Sequence, residues 1–182
     1  MELHLSTEYI VAIISLAGVI LSAIVAYFTS INTQKNSYRN EYYKTIIQKR
    51  LDAYNFIDTQ LMVMRVTMYD NDDGKYYHMF FDNEGTKYFE YQNNLTQANI
   101  RSIWISADML DAIIALSRIF YEISDKITDD KEDNIKVGKA YYDRLRNAQI
   151  KVSKALVTDI ADLYDVESFI KRKKDAYNKR SK

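Results

Sequence analysis

From Tyr9 to Phe28 the chain reads YIVAIISLAGVILSAIVAYF, twenty consecutive residues without a charge, and the uncharged stretch continues to Gln34. As a helix rising about 1.5 Å per residue, twenty residues span roughly 30 Å, the thickness of a bilayer's hydrocarbon core. A buried core helix is the competing fate, but a chain of 182 residues has too small an interior to cover a helix this apolar on every side. A cleaved signal peptide would open on basic residues, whereas residues 1–8 hold Glu2 and Glu8 and no Lys or Arg. The pattern predicts a transmembrane helix over residues 9–30, with the amphipathic rings of Tyr9 and Tyr27 near its ends.

Flanking charge sets the orientation. Lys35, Arg39, Lys44, Lys49 and Arg50 follow the apolar run, and no cation precedes it. The positive-inside rule then places residues 1–8 outside and residues 31–182 in the cytoplasm, with a helical bundle domain over 31–178, making the chain a single-pass protein of the cell inner membrane. Ser15, Gly18, Ser22 and Ala26 recur at steps of three and four, so small side chains share one helix face and would let membrane helices of neighbouring copies approach closely.

Beyond the anchor, Tyr43, Ile47, Arg50, Tyr54, Ile57, Leu61, Met64 and Met68 alternate steps of four and three, a heptad seam with Arg50 as its one charged member. No Pro occurs in the chain and no Gly falls between Gly18 and Gly74, so the membrane helix is expected to run on without a break and to end near the turn at residues 70–74. Residues 75–92 are ambiguous: aromatic runs flank the sequence DNEG as in a hairpin, yet Tyr88, Tyr91 and Leu95 suit a helix starting near Asp82 or Asn83, and short helices are the preferred reading. Ser106 is a plausible N-cap for a helix carrying Met109, Ile113, Leu116, Phe120, Ile123 and Ile127 on one stripe.

A last helix is expected from about Ile135 toward Tyr177, with Tyr142, Leu145, Gln149, Val152, Leu156, Asp159, Leu163, Val166 and Ile170 along its seam. Gln149 and Asp159 interrupt that stripe; a polar seam residue can fix register or oligomer state, and solvent exposure at a bundle end is the preferred reading. Each amphipathic stripe needs a partner, which predicts an all-α fold: an N-terminal transmembrane helix continuing into a cytoplasmic bundle of long helices, assembled as a homo-oligomer.

Composition removes several functions. With 25 Lys+Arg against 25 Asp+Glu the chain lacks the net positive field of a duplex DNA binder, and with no cysteine it has no disulfide, thiolate metal site or Cys nucleophile. Its two histidines, His4 and His78, fall on opposite sides of the expected membrane, so no double-His metal site or Ser-His-Asp set is expected. The stretch from Tyr69 to Phe80 fails as a calcium loop at its first and twelfth positions, and Asp129, Asp130, Glu132 and Asp133 read as an acidic turn. Neither a GxGxxG nor a Walker-type phosphate loop is present. The chain is accordingly read as non-enzymatic, with no cofactor and no metal.

Charge is nevertheless segregated. Residues 70–134 hold fourteen acidic and six basic groups, whereas the tail at residues 171–182 holds seven basic and one acidic. If the last helix runs antiparallel to the first, Lys171, Arg172, Lys173 and Lys174 are candidates for contact with anionic headgroups of the lipid bilayer, and a solvated, frayed terminus is the other reading. Between residues 139 and 151 aromatic and basic groups interleave: Lys139, Tyr142 and Arg146 share one helix face, and Tyr141, Arg144 and Lys151 another. A base stacked on Tyr with phosphates held by Lys or Arg is one use of such a face, and an ordinary amphipathic helix with solvated charges is the other.

In layout the chain resembles the small single-anchor membrane effectors of bacterial antiviral defence, including those of type III CRISPR systems that respond to cyclic oligoadenylate. Anchor, basic juxtamembrane helix and helical cytosolic domain carry the resemblance, and no site residue is transferred from it. It implies a membrane-disrupting effector gated by a nucleotide second messenger. The residues alone imply a membrane-anchored oligomer whose cytoplasmic part receives a ligand or partner, or a passive scaffold. A holin is disfavoured by the basic flank after Phe28.

Overall fold

The computed structural model describes residues 7–180. Most of the expected extracytoplasmic stretch, His4 within it, and residues 181 and 182 of the basic tail lie outside the described residues. Among the described residues the chain is all-α apart from one hairpin: α1 (Thr7–Arg65), β1 (Thr67–Asp70), β2 (Lys75–His78), α2 (Thr86–Ile100), α3 (Ala107–Ser124), α4 (Lys131–Ala161) and α5 (Val166–Arg180). Short 3-10 turns follow β2 and α2. Two compact units divide the chain, Met1–Thr45 and Ile46–Lys182.

The described residues of the first unit are those of α1 up to Thr45, and nothing else in that unit covers them. Val11, Ile14, Leu16, Val19, Leu21, Val25 and Phe28 are all exposed, most of them by about 60% or more. One helix is thus long and apolar enough to cross a membrane, and its most apolar stretch is not buried against any other part of the protein. Gly18 sits in open space, with no atom within 4 Å of where a Cβ would stand.

In the second unit one core joins α1, α2, α3 and α4. Tyr54, Ile57, Leu61 and Met64 of the heptad seam enter it from α1, facing Tyr88, Tyr91 and Leu95 of α2, Met109, Ile113, Leu116 and Phe120 of α3, and Leu145, Val152 and Leu156 of α4. Ser106 caps α3 through its side chain, accepting from the Met109 N–H at 3.0 Å, and Asp130 caps α4 through the Asp133 N–H at 3.0 Å. At Gly138 α4 approaches the turn after β2 so closely that a Cβ would lie 2.7 Å from the Phe81 ring.

Four expectations need correction. Helix α1 ends at Arg65, and Met68 leaves the seam for β1, where it is exposed. Residues 75–78 form a strand, paired antiparallel with residues 67–70 in the register Tyr69↔Tyr76, so the hairpin turns on residues 71–74 and not on DNEG. Gly74, at φ 67°, supplies the left-handed residue that such a turn needs, while Gly85, at φ 83°, sets the start of α2 at Thr86. The expected single last helix is broken at residues 162–165 into α4 and α5. Gln149 and Asp159 are buried, because each has a specific acceptor or donor across the core.

Candidate functional site

The hairpin lies against the N-terminal half of α4, and a cleft of about 590 Å³ opens where they meet. Tyr76 and Tyr142 form its aromatic wall, their rings stacked at 5.9 Å and 25°. Lys75, Lys136, Lys139 and Arg146 supply cations, and Asp73 and Asp143 supply carboxylates. Of the predicted face, Lys139, Tyr142 and Arg146 do line one cleft.

Their charges differ in availability. Lys139 is 13% exposed and its Nζ lies 2.5 Å from an Asp70 oxygen and 3.1 Å from an Asp73 oxygen. That hydrogen bond holds the Asp70 carboxyl below the usual carboxylate range and raises Lys139. Lys136 pairs with Asp133 at 2.8 Å, and Lys75 stands 3.9 Å from Asp73. Arg146 is exposed, and no described residue pairs with it.

Tyr141 and Arg144 point elsewhere. Arg144 crosses to Glu122 of α3 at 2.7 Å, its guanidinium 5.2 Å from the Tyr141 ring, and Tyr141 packs against the core. Lys151 is exposed. On α5, Arg172 pairs with Asp162 at 3.0 Å and Lys173 donates to the Ser102 carbonyl at 2.5 Å, while Lys171 and Lys174 are exposed. In α1, Ser15, Gly18, Ser22 and Ala26 are all exposed, and Ser22 satisfies its hydroxyl on the Gly18 carbonyl at 2.8 Å.

From the cleft a run of rings leads inward. Tyr142 contacts His78 at 5.1 Å, His78 stacks on Phe80 at 5.3 Å and 5°, and Phe80 stacks on Tyr91 at 5.1 Å and 6°. His78 places Nδ1 2.7 Å from the Met64 carbonyl, so the neutral ring carries its proton there, and Nε2 is buried without a partner. Burial pushes the imidazole down to about 4 and keeps it neutral at physiological pH. Tyr91 donates to the Gln60 carbonyl at 3.1 Å and Gln149 to the Leu61 carbonyl at 3.2 Å. Three side chains from β2, α2 and α4 thus grip the last turns of α1.

Arg50 is the second organised polar group. Only 1% exposed, it donates to the Tyr54 hydroxyl at 3.0 and 2.8 Å and to the Leu163 carbonyl at 2.8 Å, with the Phe169 ring 4.1 Å below its guanidinium. Burial, then the Asp159 carboxylate, pushes the Tyr54 hydroxyl up to about 12. Asp159 in turn accepts from the Ser106 N–H at 2.9 Å. The charged intruder of the heptad seam is therefore a connector between α1, α4 and α5.

Among the described residues no group of three or more His, Cys, Asp or Glu side chains is placed to hold a metal ion. Sequence reading missed Asp70, Asp73 and Tyr76. The Asp73-Gly74 pair between two short aromatic runs was their available signal, since such a dipeptide favours a tight hairpin. No protein-family model, curated protein or solved structure matches the chain.

Proposed function

We propose that this is a non-enzymatic, single-pass protein of the inner membrane, oligomeric in the bilayer, whose cytoplasmic unit receives an anionic ligand and couples it to the membrane helix. The observation that carries the reading lies on α1. One part of that helix exposes apolar side chains and needs lipid or other copies to cover them, while its C-terminal turns are held by His78, Tyr91 and Gln149. Displacement of the hairpin or of α4 would reach α1 through those three hydrogen bonds.

Within this reading the ligand class that fits the cleft is an anionic nucleotide. Tyr76 and Tyr142 offer ring faces for a base, and Arg146, exposed beside them, offers a guanidinium for phosphate. The resemblance in layout to nucleotide-gated effectors of antiviral defence points the same way and makes membrane disruption the expected output.

The test uses the full chain in detergent micelles, with mass by light scattering and a thermal melt against a panel of linear and cyclic nucleotides. A nucleotide-dependent rise in melting temperature that Arg146→Ala and Tyr142→Ala both remove supports the reading. An oligomer indifferent to every nucleotide replaces it with a passive scaffold.

A further inference from the structure

We infer that the hairpin turn is an autoinhibitory latch on this cleft: Asp70 and Asp73 occupy Lys139 in the place of a ligand's anionic oxygens, so the ligand must displace the turn to bind. The inference rests on the cleft being the ligand site proposed above.

Lys139 has three N–H donors and presents two of them to carboxylates from residues far away in sequence, at 2.5 and 3.1 Å. Two carboxylate oxygens around one ammonium imitate two oxygens of a phosphate in charge and in acceptor chemistry. The side chain is mostly covered, so an anion cannot simply add to it.

Little else fastens the turn. Its own hydrogen bonds are internal: the Gly74 N–H to the Asp70 carbonyl at 2.9 Å, the Asp72 N–H to the Asp70 carboxylate at 2.9 Å, and the Lys75 N–H to the Asp73 carboxylate at 3.3 Å. Residues 71–76 are exposed. Among the described residues the polar contacts between turn and α4 are the two ion pairs with Lys139. Tyr76, two residues beyond the turn's Gly74, stacks on Tyr142, and Tyr142 is the ring in contact with His78, whose Nδ1 holds the Met64 carbonyl. The latch and the grip on α1 therefore share one run of side chains.

Asp70→Asn with Asp73→Asn tests this, because asparagine keeps the oxygen that each internal turn bond uses while it removes the charge and, at Asp70, replaces the oxygen that faces Lys139 by an amide nitrogen. The probe is inorganic tripolyphosphate, titrated into the full chain in detergent, with hydrogen exchange followed at the amides of residues 71–77. If the latch is closed at least about 90% of the time, removing it tightens apparent affinity about tenfold or more. Faster exchange in the turn should accompany that gain, and adding Lys139→Gln should abolish the gain. Equal affinity in wild type and double variant overturns the latch and leaves the cleft as a ligand site. A gain that persists with Lys139→Gln also overturns it, since Lys139 is then not the masked group. Absence of binding in every form overturns the cleft reading itself, and the latch with it.

Discussion

The guanidinium of Arg50 donates to the carbonyl oxygen of Leu163 at 2.8 Å, so a side chain of α1 closes the break between α4 and α5. Carbonyls at the end of a helix have no partner within it, and a cation placed there is favoured by the helix dipole as well as by hydrogen bonding. Tyr54 completes the arrangement, accepting twice from Arg50 and donating to Asp159 at 3.4 Å.

Arg50→Ala should therefore be among the most damaging single changes in the second unit. It leaves Asp159, Tyr54 and the Leu163 carbonyl short of a buried donor and should cost about 3–5 kcal/mol, the usual effect of removing one partner from a buried charged network. Arg50→Lys should recover only part of this, because one ammonium cannot serve both the phenol and the carbonyls as the guanidinium fork does. Urea unfolding of the three forms measures both effects.

At Gly138 two effects oppose each other. Alanine is the better helix former by about 1 kcal/mol. Its Cβ, however, would lie 2.7 to 3.0 Å from the Cδ2, Cγ and Cβ atoms of Phe81, a ring with no exposed surface and no room to retreat. Overpacking of this kind costs about 1–3 kcal/mol, so Gly138→Ala should lower the melting temperature. An unchanged or higher value would contradict the close approach of α4 to the turn after β2.

His78 makes stability depend on pH. Its pKa falls from 6.5 to about 4 in the folded chain, so between these values the unfolded state binds more protons than the native state. Stability should be at full value above pH 6.5, decline as pH falls toward 4, and lose up to about 3 kcal/mol on this account. Asp70 and Asp165, whose carboxyls are held below 3.8, act at the acid end of that window or below it. Urea unfolding between pH 7.5 and 4.5 should show the decline, and His78→Gln should flatten it.

Much of this was legible in the chain. The long apolar N-terminal helix, the capped α3 and the seam from Tyr54 to Met64 follow from hydropathy and heptad spacing, because those signals arise from many residues acting together. The hairpin and the α4–α5 break were not. Each rests on a few long-range polar contacts, Lys139 to Asp70 in one case and Arg50 to Leu163 in the other, and periodicity carries no information about partners more than sixty residues apart. Arg50 in the seam and Asp159 on the last stripe were visible as irregularities, and their meaning depended on being placed beside each other. Within the candidate site, α4 spacing put Lys139, Tyr142 and Arg146 on one face, which lines the cleft, and could not reveal that Asp70 and Asp73 already hold the lysine.

The small face of α1 is open to a direct test. Gly18 has no atom near a prospective Cβ and Ser22 is exposed, so Gly18→Ile with Ser22→Ile leaves the helix intact and bulks only its surface. Crosslinking in membranes should fall by several-fold if that face packs protomers. Unchanged crosslinking would remove this face as the contact.

The most direct measurement is a cysteine-accessibility scan, for which the chain is suited because it contains no cysteine. Single cysteines at Ser6, Val19 and Tyr177 are labelled with a membrane-impermeant maleimide in intact spheroplasts and again after permeabilisation. Labelling of Ser6→Cys is expected from outside, of Tyr177→Cys only after permeabilisation, and of Val19→Cys in neither state. Labelling of Val19→Cys in both, or of Tyr177→Cys in intact spheroplasts, would contradict a single-pass anchor with its larger unit in the cytoplasm.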